Sequence, residues 1–227
     1  MSGGPIKTHR AWVRPAASVT ALFGEVPTGN VSDALGQPLL AMSHEIRSLS
    51  PGVRVAGPAL TVRTRGGDNL APWMAIEVAE RGDIIVIATD NHRDSSTIGD
   101  LFAVAARNRG VVGIVTDGLC RDAAGIRESG VATFAAGLMP AAPEKRGPGE
   151  IGGEIRCGGV TVRPGDIVVA DEDGVVVVPG ERIDQVIEDL ANVRTKEQRV
   201  VTELAAGRTV PAWVDDYANV AGREHEE

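Results

Sequence analysis

The sequence predicts an α/β fold, and three features carry that prediction. A continuous apolar run, IIVIATD, reads as a strand buried on both faces, and after a helical pattern VVGIVT reads as a second strand. Aromatic residues make up only 3% of the chain, so the core must be built from Val, Ile, Leu and Ala. Past residue 154 the style changes to short strands and tight turns at Pro164-Gly165 and Asp173-Gly174, as in antiparallel hairpins.

In chain order, residues 1–17 carry Gly, Pro and scattered charge and read as an N-terminal arm. TGNVSDALG (Thr28–Gly36) reads as a turn and a short helix. GVRVAGPALTVRT (Gly52–Thr64) alternates like a strand or bent strand pair, broken at Gly57-Pro58. APWMAIEVAERGD is a helix closed by Gly82, and Ile84–Asp90 is the first buried strand. A helix over Asp100–Asn108, a strand over Val111–Thr116, a helix over Ala123–Ser129 and a strand over Val131–Ala135 follow. Ala142–Glu154, rich in Gly and Pro, reads as a loop. GGVTVRPGDIVVADEDGVVVVP then gives two or three strands. Glu181–Ala206 is one long amphipathic helix, with Ile183, Val186, Ile187, Leu190, Val193, Val200, Val201 and Leu204 on its stripe and Gly207 as its stop. The tail REHEE reads as disordered.

The 227 residues suit one domain with arms, and the formal net charge of −8 with no Lys/Arg block argues against a nucleic-acid surface. Cys120 and Cys157 are too few for a disulfide framework. The N-terminus lacks the apolar core of a signal peptide, and no run approaches transmembrane length. A soluble, cytoplasmic protein is expected, with no membrane partner.

The strand–helix–strand reading also locates a site. A helix of about ten residues returns roughly 15 Å, and the next strand climbs back about 20 Å. The helix start and the second strand's end therefore share the carboxyl edge of the sheet, where open α/β sheets bind ligands. Asp100, Asp117, Arg121 and Asp122 can converge there. The unpaired amides from Gly99 through Leu101 to Phe102 form an anion cradle suited to a carboxylate, and Gly99 allows close approach. Two neighbouring carboxylates call for a cation, and hard oxygen ligands point to Mg²⁺ or Mn²⁺. An arginine beside them can bind an oxygen on which charge develops. Such a set describes a site for a 2-oxo acid passing through an enolate. Taken singly, Asp100 equally suits a first-turn acid favouring the helix dipole, and Arg121-Asp122 a surface salt bridge capping the next helix.

The joint pattern D-x20-R-D, formed by Asp100, Arg121 and Asp122, resembles the signature of the RraA-like family of class II pyruvate aldolases. VSDALG, GPALTVRT, GDNLA, RGVVGIVTDGLCRD, GDIVVADEDGVVVVP and the long final helix have counterparts in that family in the same order, from about Thr28 to Leu204. The resemblance implies a three-layer β/β/α (swivelling-type) single domain with a long C-terminal helix. The chain is then expected to divide into an arm (1–17), a catalytic domain (18–180), a C-terminal helix suited to assembly (181–207) and a tail (208–227). It implies that the amides of Gly99, Asp100, Leu101 and Phe102 hold the pyruvyl carboxylate. Arg121 would stabilise the enolate and Asp122 would ligate Mg²⁺ or Mn²⁺, with Asp100 acting through a metal-bound water. The implied reaction is retro-aldol cleavage of a 4-hydroxy-2-oxo acid to pyruvate, with oxaloacetate decarboxylation through the same enolate. The implied assembly is a homotrimer or homohexamer, with a neighbouring subunit completing the site. Phe102 departs from the family, where a small or aliphatic residue is usual. Related regulators of ribonuclease E share the fold but lack the intact Arg-Asp pair, so a non-catalytic, protein-binding regulator is the competing reading.

Other features weigh less. GPGEIGG (Gly147–Gly153) matches G-x-G-x-x-G, but Pro148 removes an amide and a strand pattern follows, which argues against a dinucleotide site. Cys120 reads as a packed thiol. His9, His44, His92 and His225 show no metal-ligand spacing, although His92 precedes the site and could touch substrate. Asp33, Asp68 and Asn69 read as turn or cap residues, with a site or interface role as the alternative.

Overall fold

The computed structural model describes residues 4–36 and 40–221. In chain order the elements are β1 (Ile6–Thr8), α1 (Ala17–Ala21), α2 (Thr28–Leu35), β2 (Arg47–Ser48), β3 (Val55–Thr64), α3 (Leu70–Val78), β4 (Ile84–Ala88) and β5 (Ser96–Ile98). Then come α4 (Asp100–Arg109), β6 (Gly113–Thr116), β7 (Leu119–Cys120), α5 (Ala123–Ser129), β8 (Ala132–Ala135) and β9 (Gly149–Ile151). The C-terminal part holds β10 (Ile155–Cys157), β11 (Val160–Val162), β12 (Ile167–Asp171), β13 (Gly174–Val178), α6 (Ile183–Ala205) and α7 (Ala212–Ala221).

Strands β3, β4, β6 and β8 are parallel neighbours in that order, connected through α3, α4 and α5. The two-residue period of β4 explains why its sequence is apolar throughout. Ile85 and Ile87 pack with Phe102, Ala106 and Ile126 of the helix layer. Ile84, Val86 and Ala88 pack with Ile155, Val160, Val168 and Val177 of the antiparallel strands. Strand β13 repeats the logic one layer out. Val175 and Val177 face the parallel sheet, whereas Val176 and Val178 meet Val31 and Leu35 of α2 and Val186 and Leu190 of α6. The three β/β/α layers are present, and α2 with α6 closes the outer face of the β12–β13 hairpin.

Strand β3 belongs to both β layers. Its first half pairs antiparallel with β12, from Val55 to Pro58, and its second half pairs parallel with β4, from Ala59 to Arg63. The changeover falls at Gly57-Pro58, where the sequence suggested a break. Gly57 is obligatory there, because an added Cβ would lie 2.4 Å from the Gly82 carbonyl oxygen.

Several expectations need correction. Ala142–Glu154 is not wholly loop, since β9 pairs parallel with β1 and antiparallel with β3. These partners are distant in sequence, so the local Gly/Pro content hides the strand. The N-terminal arm is correspondingly docked through β1, and Arg14 clamps buried Asp83 with bonds of 2.8 Å from Nε and Nη2. The loop before Asp100 and the turn after Thr116 contribute the short parallel pair β5–β7. Part of the expected tail folds as α7. The REHEE segment and His225 lie outside the described residues. No helix among the described residues is long and apolar enough to cross a membrane.

Candidate active site

The carboxyl ends of β4 and β6 are tied together by Asp117. Its carboxylate accepts the Thr89 amide at 2.7 Å, the Thr89 hydroxyl at 2.8 Å and the Asn91 amide at 3.4 Å. Burial pushes this carboxyl above the ordinary Asp range, against the Thr89 and Asn91 donors that favour its charge. Asp117 therefore does not present its carboxylate in the cleft with the other acids, as the sequence suggested. It is a buried fastener. The next residue, Gly118, sits so tightly under the chain that a Cβ would meet Thr97 Oγ1 at 2.5 Å and Thr89 Cγ2 at 2.9 Å. Thr89, Thr97 and Gly118 were not anticipated in this supporting role, and no local sequence signal marks them.

From that base, β5 leads to Gly99, the residue before the first turn of α4, and β7 leads to Arg121. The Arg121 amide donates to the Ile98 carbonyl at 3.0 Å, which brings the two segments alongside. A Cβ on Gly99 would lie 2.6 Å from Asp122 Oδ2 and 3.1 Å from Arg121 Cγ. The backbone at Gly99 is extended, so this glycine is required by close approach and not by its torsion angles. Asp100 lies against the first turn of α5, where a Cβ on Gly125 would meet Asp100 Cβ at 2.6 Å and Oδ2 at 2.9 Å. Gly125 was overlooked in the sequence, although a glycine inside a helix was the available signal. The structure thus brings Gly99, Asp100, Arg121 and Asp122 together, with Leu101 and Phe102 continuing the first turn of α4.

Arg121 Nε and Asp122 Oδ2 form an ion pair at 3.1 Å, and both side chains are partly exposed. Asp122 precedes α5 in left-handed backbone with φ 58°, and its carboxylate makes no capping hydrogen bond to that helix. The pair is thus a partly exposed ion pair at the start of α5, as the plainer reading has it, but without the side-chain cap. Asp90 and Asn91 also have positive φ, 56° and 57°, so the non-glycine residues of this kind among those described all lie at the carboxyl edge. Such backbone is costly and collects at functional sites. Asp100 Oδ1 accepts the Leu101 amide at 2.7 Å.

Leu101 is exposed at the rim, while Phe102 is buried and meets Trp73 edge-to-face at 5.4 Å. The bulk of Phe102 is thus absorbed by α3, and its amide stays in the first turn of α4. Cys120 is fully buried, and burial pushes its thiol up to about 12, consistent with a packed thiol. His92 packs on Gly66 and Gly67, with Nε2 3.1 Å from Ser95 Oγ. Asp68 is a buried turn acid whose carboxylate accepts the amides of Leu70 and Arg146. Asn69 precedes α3 but makes no side-chain cap. Asp33 lines a cavity of ≈ 880 Å³ between α2, α6 and α7, and none of the cradle residues borders it.

Among the described residues no three His, Cys, Asp or Glu side chains cluster as a metal cage. Mg²⁺ and Mn²⁺ do not need one, since Mg²⁺ is commonly held by one or two carboxylates with water completing the shell. Asp122, with Asp100 packed on the first turn of the helix that follows it, fits that donor set.

The family model described as RraA-like, Aldolase/RraA, matches residues 28–177. A Halalkalibacterium halodurans protein named "Putative 4-hydroxy-4-methyl-2-oxoglutarate aldolase" is 38% identical over 166 residues, covering 73% of this chain and 79% of that protein. A crystal structure of an uncharacterized Pseudomonas syringae protein superposes with a TM-score of 0.76 at 27% identity, covering 87% of this chain and 97% of that one. Streptomyces coelicolor RraAS2, described as an unusual member of the RNase ES inhibitor RraA protein family, gives a TM-score of 0.72 at 27% identity, covering 82% and 97%.

Proposed function

The chain belongs to the RraA-like (Aldolase/RraA) family, and on that premise we propose that it is a metal-dependent pyruvate aldolase. Its substrate is a 4-hydroxy-2-oxo acid, cleaved to pyruvate and a second carbonyl compound. Oxaloacetate decarboxylation proceeds through the same enolate. The observation that supports this reading is the contact of Gly99, just before the first turn of α4, with the Arg121-Asp122 pair. The similarity to the Halalkalibacterium protein supports a lyase.

The first-turn amides of α4, from Gly99 to Phe102, bind the substrate carboxylate. Arg121 lies on the keto oxygen and stabilises the charge that develops there. Asp100 is the acid–base group on the path of the C4 hydroxyl proton. As that proton leaves, the C3–C4 bond breaks, the second carbonyl forms, and the electron pair passes through C3 to the keto oxygen as enolate. Protonation at C3 then gives pyruvate. Asp122 would hold the divalent cation, which when bound would supply Lewis acidity to the enolate-forming step.

The same proposal makes residues 18–180 the catalytic body and 181–207 an assembly helix, in a cytoplasmic homotrimer or homohexamer. Val201 and Leu204 on α6, Val210, and Trp213 and Tyr217 on α7 are exposed, and apolar surface of this kind suits a partner subunit. Likeness to the Streptomyces protein favours a second reading, a non-catalytic regulator of ribonuclease activity. A pyruvate-release assay over a panel of 4-hydroxy-2-oxo acids and oxaloacetate separates the two. Turnover of at least one compound is expected, and none at all would favour the regulator.

A further inference from the structure

We infer that the site is closed on itself by two internal contacts that the substrate and the cation must exchange. This inference rests on the pyruvate-site reading above. Asp100 Oδ1 holds the Leu101 amide at 2.7 Å, so one of the N–H groups suited to a substrate carboxylate already serves a carboxylate of the chain. Arg121 Nε holds Asp122 Oδ2 at 3.1 Å, so the oxygen suited to a cation already serves a cationic group of the chain. The match is one of charge type. An aspartate stands where the 2-oxo acid's carboxylate would bind, and a guanidinium stands where the metal would bind.

Packing keeps both contacts local. Asp100 fills the space that a Cβ on Gly125 would take, and Asp122 the space that a Cβ on Gly99 would take. The left-handed backbone at Asp122 further fixes where its side chain starts. Each exchange also releases a group that the reaction uses. A carboxylate entering the cradle displaces Asp100 from Leu101 and leaves it available as the acid–base group. A cation on Asp122 draws the carboxylate away from Arg121 and leaves the guanidinium available for the keto oxygen. The chain's own side chains thus compete with the ligands they later act on, and this lowers the affinity for each ligand alone.

The test reads binding and not turnover. Equilibrium dialysis with labelled pyruvate in EDTA reads the cradle alone, and Asp100→Ala keeps the Cβ that packs on Gly125. Asp100→Ala is expected to bind pyruvate about tenfold more tightly than wild type, the scale of one charge-assisted hydrogen bond plus relief of like-charge repulsion. Asp100→Asn, which keeps an acceptor without its charge, should fall between them. Titration with Mn²⁺ alone, followed by electron paramagnetic resonance, should show severalfold tighter binding in Arg121→Gln than in wild type. Equal or weaker pyruvate binding in Asp100→Ala, or equal or weaker Mn²⁺ binding in Arg121→Gln, overturns the inference. Failure of the wild type to release pyruvate from any substrate would instead overturn the aldolase reading, and these affinity comparisons would still decide whether the contacts compete with ligands.

Discussion

Replacing Gly99 by Ala separates stability from site geometry. Its φ of −144° and ψ of −165° are open to alanine, so the backbone is not strained by the change. The new methyl would stand 2.6 Å from Asp122 Oδ2 and 3.1 Å from Arg121 Cγ, so the carboxylate must retreat by roughly 1 Å to reach an ordinary contact. Both side chains are partly exposed and can turn outward. The cost should therefore fall at the low end of overpacking, about 1 kcal/mol. For a chain of this size that lowers Tm by about 2–4 °C. A displacement of about 1 Å in a catalytic group can cost about a hundredfold in rate. Pyruvate release should thus fall about a hundredfold while calorimetry shows a nearly unchanged fold. Gly29→Ala on α2, where a Cβ meets nothing within 4 Å, is the control and should leave both quantities unharmed. Near-wild-type turnover in Gly99→Ala would refute the assembly of the site at this glycine.

Arg121→Ala should lower kcat about a hundredfold or more, and Arg121→Lys should recover only part of it, because a point charge does not replace the planar fork. Wild-type turnover in Arg121→Ala would return the pair to a structural role. Asp171 accepts the Thr28 amide at 2.9 Å and hydroxyl at 2.6 Å, fastening α2 to β12. Burial pushes its carboxyl up, but the Thr28 and Asp173 donors with Arg54 outweigh this and hold it below the usual Asp range. Its stabilisation is therefore fully present above the ordinary Asp pKa and is lost as pH falls through the depressed folded value. Urea melts should show Asp171→Ala destabilised by about 1–3 kcal/mol at pH 7, with the gap narrowing in acid. A gap independent of pH would contradict the linkage. Truncation after Arg194 should lower the assembly state or the solubility in light scattering coupled to size exclusion. A monodisperse full-length species near 23.7 kDa at micromolar concentration would defeat the oligomer proposal.

The parallel core was legible because each residue of β4 is buried, so an unbroken apolar run was the only pattern the fold could leave. The approach of the start of α4 to Arg121, Asp122 and α5 was legible because one helix and one strand return the chain to the same edge. Strand β9 was not, because its partners β1 and β3 lie far away in sequence. Asp117 was misassigned for a related reason. An acid at a strand end looks the same in sequence whether it faces the cleft or accepts amides behind it, and only the position of Thr89 decides. The outer covering of β12–β13 was half visible, since the stripe on α6 announced a buried face without saying which strands it met.

The most direct test of the account is pyruvate formation by the purified wild-type chain, coupled to lactate dehydrogenase, from oxaloacetate and from a 4-hydroxy-2-oxo acid. Asp100 and Asp122 beside one cradle predict that EDTA abolishes the enzymatic signal and that Mg²⁺ or Mn²⁺ restores it. Full activity in the metal-free protein would contradict the mechanism.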